Sequence, residues 1–190
     1  MNYTNKKIIY FDEPGPKNTI MTLEAVKDRA EELGIKKIVV ASSHGKTALE
    51  AYNVVGKDKE IVVVTICESF KKEGWTMNPE KKKELSLKGI RVLTCPHILG
   101  DGVGSSISEK YGGRSYEEIV RDTLYRFGQG MKVCVEIVLM AADSGLINID
   151  EDVIAVAGTD GGADTAIVVK PSYSRKFYDL QIREIITKPR

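Results

Sequence analysis

Residues 36–56 read KKIVVASSHGKTALEAYNVVG. Lys37 to Ala41 is a β-branched apolar run of strand length, the pattern of a strand covered on both faces. Ser42 to Gly45 cannot continue it, because two serines, a histidine and a glycine favour a tight turn. Lys46 to Val55 then reads as a helix, closed by Gly56. Glu60 to Ile66 supplies a second buried strand. Strand, short turn, helix and strand in this order make a βαβ unit, which places parallel strands side by side.

The same alternation extends in both directions. Upstream, Ile8 to Phe11 is a short strand, and Asp12 to Lys17, with Pro14-Gly15-Pro16, is a loop. Leu23, Val26, Ala30 and Leu33 recur at spacings of three and four, an amphipathic helix with Thr19 or Thr22 as its cap and Gly34 as its stop. Downstream, Asn78-Pro79 opens a helix that ends at Gly89, and Ile90 to Thr94 is the third core strand. Pro96 to Arg114 carries Gly100, Gly102, Gly104, Gly112 and Gly113 and reads as a long loop. Ser115-Tyr116-Glu117-Glu118 is a capping box opening a helix through Phe127, and Gly128 and Gly130 break or kink the chain. Met131 to Ser144 is apolar on nearly every side and predicts a buried helix.

Val153 to Ala157 is the fourth core strand. The turn to the next strand, Thr165 to Lys170, is too short for a crossover helix, so that strand must return antiparallel. Tyr178 to Ile186 reads as a last edge strand, and an edge of that kind is compatible with a homo-oligomer. The prediction is one domain over residues 1–190, an α/β fold of three layers, α/β/α, around a mixed sheet.

Bulk properties narrow the function. The chain has 190 residues, is 42% hydrophobic, and carries 28 Lys plus Arg against 27 Asp plus Glu, a net charge of +1. That balance gives no electrostatic footprint for nucleic acid. The runs Lys71-Lys72-Glu73 and Glu80 to Glu84 are of mixed sign and read as solvated helix faces. No apolar stretch approaches the ~20 residues of a membrane span, and the polar start Met1 to Lys7 does not read as a signal peptide. Three separated cysteines, Cys67, Cys95 and Cys134, point to a reducing cytoplasm and not to a disulfide framework. With only His44 and His97 and no close cysteine pair, no metal site is expected.

In a sheet of this kind ligands gather at the carboxyl ends of the strands. After the first core strand stand Ser42, Ser43, His44, Gly45, Lys46 and Thr47, at the start of a helix. Hydroxyls, amide hydrogens at a positive dipole end and a lysine suit a phosphate, although an ordinary serine-capped turn has the same composition. It is not a Walker loop, since Val40 stands where that motif needs glycine. After the fourth strand stand Gly158, Thr159, Asp160, Gly161, Gly162, Ala163, Asp164 and Thr165, which suit either a hairpin turn or a polar cradle for sugar-like hydroxyls.

Cys67 and Cys95-Pro96-His97 follow the second and third strands, so the thiols would share a rim, either as a reactive pair or as small buried side chains. His97 and Cys67 are the candidate catalytic groups, although a lone histidine near a loop is more often a hydrogen-bonded structural residue. Gln129 and Lys132 lie at the start of the greasy helix. Lys132 either pairs with Glu136 four residues on or faces a ligand.

From Ala25 to Thr94 the chain resembles the C-terminal domain of pyruvate kinase, through Ser43-His44-Gly45-Lys46-Thr47, and the likeness returns at Asp152 to Gly158 and Thr165 to Val169. Over nearly its whole length it is similar to stand-alone archaeal proteins of that fold. Pro14-Gly15-x-x-Asn18-Thr19, Gln129-Gly130-Met131-Lys132-Val133, Gly162-Ala163-Asp164-Thr165-Ala166 and Ile182-Arg183-Glu184-Ile185-Ile186 carry that similarity. The resemblance implies a five-stranded sheet of order 3-2-1-4-5 with the last strand antiparallel. It also implies phosphate binding at Ser42 to Thr47 and flavin mononucleotide (FMN) as the cofactor. The catalytic barrel of the kinase has no counterpart here, so kinase activity is not implied. The expectation is a binder of a phosphorylated small molecule, FMN foremost, acting as a flavin-dependent oxidoreductase. The alternatives are a non-catalytic sensor for a sugar phosphate or nucleotide and an enzyme acting on a phosphorylated substrate.

Overall fold

The computed structural model of the chain describes residues 3–190, so Met1 and Asn2 of the polar start lie outside the described residues. Seven strands form one sheet: β1 (Ile9–Phe11), β2 (Lys37–Ala41), β3 (Glu60–Val64), β4 (Arg91–Leu93), β5 (Val153–Ala157), β6 (Thr165–Lys170) and β7 (Gln181–Pro189). Their order is β1-β7-β6-β5-β2-β3-β4. The segment β4-β3-β2-β5-β6 is the expected 3-2-1-4-5 arrangement. β6 pairs antiparallel with both β5 and β7, while every other pairing is parallel. One strand therefore runs against six.

The expected strand count is corrected from five to seven. β7 is not the outermost strand of the sheet, because β1 pairs with its end, Ile9, Tyr10 and Phe11 lying against Thr187, Lys188 and Pro189. It starts at Gln181, after a 3-10 segment over Ser174–Asp179. Over Gln181 to Ile186, β7 pairs with β6 on one side and lies beyond the reach of β1 on the other.

Two apolar layers arise from strand alternation. Ile38 and Val40 of β2 face one side with Ile61, Val63, Ile154 and Val156, and there they meet α1 (Thr19–Leu33) and α2 (Lys46–Val55) through Leu23, Val26, Ala48 and Ala51. Val39 faces the other side with Val62, Ala155 and Ile167, against α6 (Gln129–Asp143). Helix α6 is apolar all round because it has the sheet beneath it and α5 (Tyr116–Leu124) alongside, whose Val120 and Leu124 reach the same layer.

Three local expectations change. Pro96 to Arg114 is not a continuous loop: α4 (Val103–Tyr111) lies within it, with Gly102 before its start and Gly112 after its end. Of the five glycines only Gly104 is inside the helix, so they mostly mark its limits. Neither Thr19 nor Thr22 caps α1. Thr19 Oγ1 donates to the Pro16 carbonyl and accepts the Ala163 N–H, while Asn18 takes the cap position. Gly130 does not break the chain; it sits in the first turn of α6, which opens at Gln129.

The capping box at Ser115 is present in full, with Ser115 Oγ accepting the Glu118 N–H and Glu118 accepting the Ser115 N–H. α3 (Pro79–Leu87) starts on Asn78, whose side chain accepts the Lys81 N–H. Among the described residues no helix is long and apolar enough to cross a membrane.

Candidate functional site

A cavity of about 610 Å³ opens where the carboxyl ends of β2, β3 and β5 meet α6. Ser42, Ser43, His44, Lys46 and Thr47 form one wall. The turn is held from both sides: the Ser42 N–H donates to the Val64 carbonyl at 3.1 Å, and Ser42 Oγ accepts the Ala48 N–H at 3.3 Å. Gly45 has a φ of 85°, which brings the chain round into α2, and it precedes that helix without a capping side chain. The start of α2 is thus a positive dipole end beside the cavity. Lys46 extends outward, its side chain 84% exposed and 4.0 Å from Glu50.

The segment after β5 divides in two. Gly158, Asp160, Gly161 and Gly162 line the cavity. Thr159, Ala163, Asp164 and Thr165 do not; they build the support behind it. The buried Asp164 carboxylate accepts the Thr159 N–H at 3.1 Å, the Gly15 N–H at 2.9 Å and the Thr165 hydroxyl at 2.7 Å. Asp164 therefore shapes this loop from behind, with its oxygens engaged inside the protein.

On the opposite side stands His97, its Nδ1 2.8 Å from Asp101 Oδ2. The Phe70 ring stacks on His97 at 6.5 Å between centroids and on Trp75 at 5.4 Å, and Trp75 borders the cavity. The imidazole beside Asp101 holds that carboxyl below its ordinary range. Asp101 and Asp160 have φ values of 58° and 57°, the two non-glycine residues of positive φ among those described, and both line the cavity. Such conformations cost energy and gather where a surface is shaped for a ligand.

Helix α6 closes the floor. Lys132 and Glu136 are buried and lie 2.5 Å apart, and Glu136 also accepts the Leu99 N–H at 2.9 Å. The expected pairing of Lys132 with Glu136 is present, and both residues line the cavity. Gln129 lies one turn earlier and outside the lining. Cys67 is buried beside Ser69 and Cys95 lies on the neighbouring strand end; neither lines the cavity. Burial, then the adjacent Cys67, pushes the Cys95 thiol up, against the activation a nucleophile requires.

Reading the sequence missed Thr65, Trp75 and Asp101 as lining residues. Only Asp101 had a visible signal, an aspartate between Gly100 and Gly102 in a turn. Trp75 is brought in through its stack on Phe70, which no spacing encodes.

Residues 21–169 match a family model described as pyruvate kinase, alpha/beta domain. That span holds β2 to β5 and nearly all of β6, and leaves β1 and β7 outside. Among solved structures, the chain is similar to a pyruvate kinase from Cryptosporidium parvum at 15% identity, over 80% of this chain and 23% of that one, with a TM-score of 0.41. It is similar to the Cryptosporidium parvum pyruvate kinase in complex with ADP at 15% identity, over 93% and 25%, with a TM-score of 0.41. The chain spans about a quarter of the length of these enzymes.

Proposed function

This chain belongs to the pyruvate kinase alpha/beta domain family, and from that premise we propose that it binds a phosphorylated small molecule, FMN foremost, at the carboxyl ends of its parallel strands. The observation that carries the reading is the Ser42–Thr47 turn, placed at the start of α2 and forming a wall of the cavity. Anions favour such a position because amide hydrogens and the helix dipole both present positive charge.

The residues present fit FMN. A volume of about 610 Å³ is within the range of small-molecule sites. Ser43, Lys46 and Thr47 would hold the phosphate, Gly158 to Gly162 would follow the ribityl chain, and Trp75, His97 and Lys132 would surround the ring. Bound FMN supplies hydride and electron transfer, which makes the protein a flavin-dependent oxidoreductase in this reading. The free cysteines favour a reducing cytoplasm as its location.

Purified protein that is yellow, with absorbance near ~450 nm from an oxidised flavin, supports the reading. A second reading, a non-catalytic sensor of a sugar phosphate or nucleotide, draws on the chain's match to one domain of a larger enzyme. Colourless protein whose melting temperature rises with sugar phosphates and not with FMN would favour the sensor.

A further inference from the structure

Lys132 carries an ammonium that the fold buries beside the cavity and satisfies only in part. Its side chain is 7% exposed and lines the cavity. Glu136 Oε2 takes one N–H at 2.5 Å, and Nζ lies 5.9 Å from the centre of the Tyr125 ring. A lysine ammonium has three donors, and leaving buried donors without acceptors is unfavourable. The position is rigid. A Cβ on Gly130 would come within 2.2 Å of Thr165 Oγ1, so the start of α6 is pressed against β6. Glu136 is tied in turn to the Leu99 N–H.

The cavity thus has two positive elements of different kinds. Lys46, at the turn, is exposed and screened by water. Lys132 is withdrawn from water, where a charge acts more strongly on what comes next to it. We infer that Lys132 donates to a carbonyl or negatively charged oxygen at the end of the ligand remote from its phosphate. For FMN, on which reading this rests, that oxygen belongs to the pyrimidine edge of the ring. Reduction by two electrons, with one proton taken from solvent, leaves the ring with one added negative charge near that edge. The Lys132 ammonium favours that reduced form and raises the midpoint potential.

The test compares the parent protein with Lys132→Met, Lys132→Arg and the double variant Lys132→Met with Glu136→Gln, which leaves no unpaired buried carboxylate. Dissociation constants are measured for inorganic phosphate and for FMN, and the midpoint potential of bound FMN is measured with dithionite as reductant and a reference dye. Lys132→Met and the double variant should weaken FMN about tenfold more than they weaken phosphate, the scale of one charge-assisted hydrogen bond. Lys132→Met should also lower the potential, the double variant should lower it less because Glu136→Gln removes the opposing charge, and Lys132→Arg should stay near the parent in both. Equal FMN affinity and equal potential in parent and variants would overturn the role of Lys132 while leaving the FMN site intact. A parent protein that binds phosphate and no FMN would overturn both readings.

Discussion

Asp164 accepts the Gly15 N–H at 2.9 Å, joining points 149 residues apart in the chain. The same carboxylate accepts the Thr159 N–H and the Thr165 hydroxyl. One buried side chain therefore sets the loop after β5 and fastens it to the segment before α1. Asp164→Ala removes the acceptor for both amides. The expected loss of stability is about 2–5 kcal/mol, the range for breaking a buried network. Urea unfolding measures it, and Asp164→Asn, which keeps one acceptor oxygen, should fall between the two.

Gly130→Ala places a methyl group 2.2 Å from Thr165 Oγ1 and 2.5 Å from Thr165 Cβ. In an ordinary helix the change would be stabilising. Here the contact wins, and a net loss of about 1–3 kcal/mol is expected from overpacking. Thermal unfolding decides the sign.

Lys46 borders the cavity as an exposed charge, 84% accessible along its side chain. Lys46→Ala should weaken phosphate or FMN by about 1 kcal/mol, the lower end for a charged hydrogen bond in contact with water. Raising the salt concentration should shrink the difference between the variants. An unchanged affinity at low salt, by calorimetry, would remove Lys46 from the site.

Glu118 is held down to about 2, first by the Ser115 N–H, then by Ser108, with Arg121 adding to the effect. A carboxyl lowered in this way stabilises the fold above its ordinary value of 4.5, and the contribution fades as pH falls towards about 2. Glu118→Gln can still accept from Ser115 and has no proton to gain in that window. Urea midpoints measured across it should fall less steeply for the variant than for the parent.

Arg29 on α1 donates through Nε and Nη2 to the two carboxylate oxygens of Glu184 on β7, at 2.7 and 2.6 Å. The pairing holds the guanidinium pKa up. It ties β7, a strand outside the family match, to the helix layer. Arg29→Ala should cost about 1–3 kcal/mol, since a two-point bond from a mostly buried arginine is lost. A double-mutant cycle with Glu184→Gln isolates the pair.

The five central strands were legible because each is an apolar run of strand length, and the antiparallel return of β6 followed from the short link behind β5. β1 and β7 were visible as strands, yet their pairing was not. Ile9 and Thr187 meet across nearly the whole chain, and no local pattern encodes that register. Helix α4 was hidden by its flanking glycines. The turn at Ser42 to Thr47 could be named from composition, whereas Asp101 and Trp75 enter the site only through a hydrogen bond and a stack.

The sequence by itself determined the alternation of strands and helices, their faces and the serine-rich turn that opens α2, since these depend on neighbours within a few residues. The tertiary structure alone decided which polar groups stay open to a ligand. Asp164 and Asp160 stand four residues apart in one glycine-rich loop, yet the first is closed off by three internal donors and the second lines the cavity. The reason is physical: a side chain's availability is set by what other segments bring to it, and those segments lie far away along the chain.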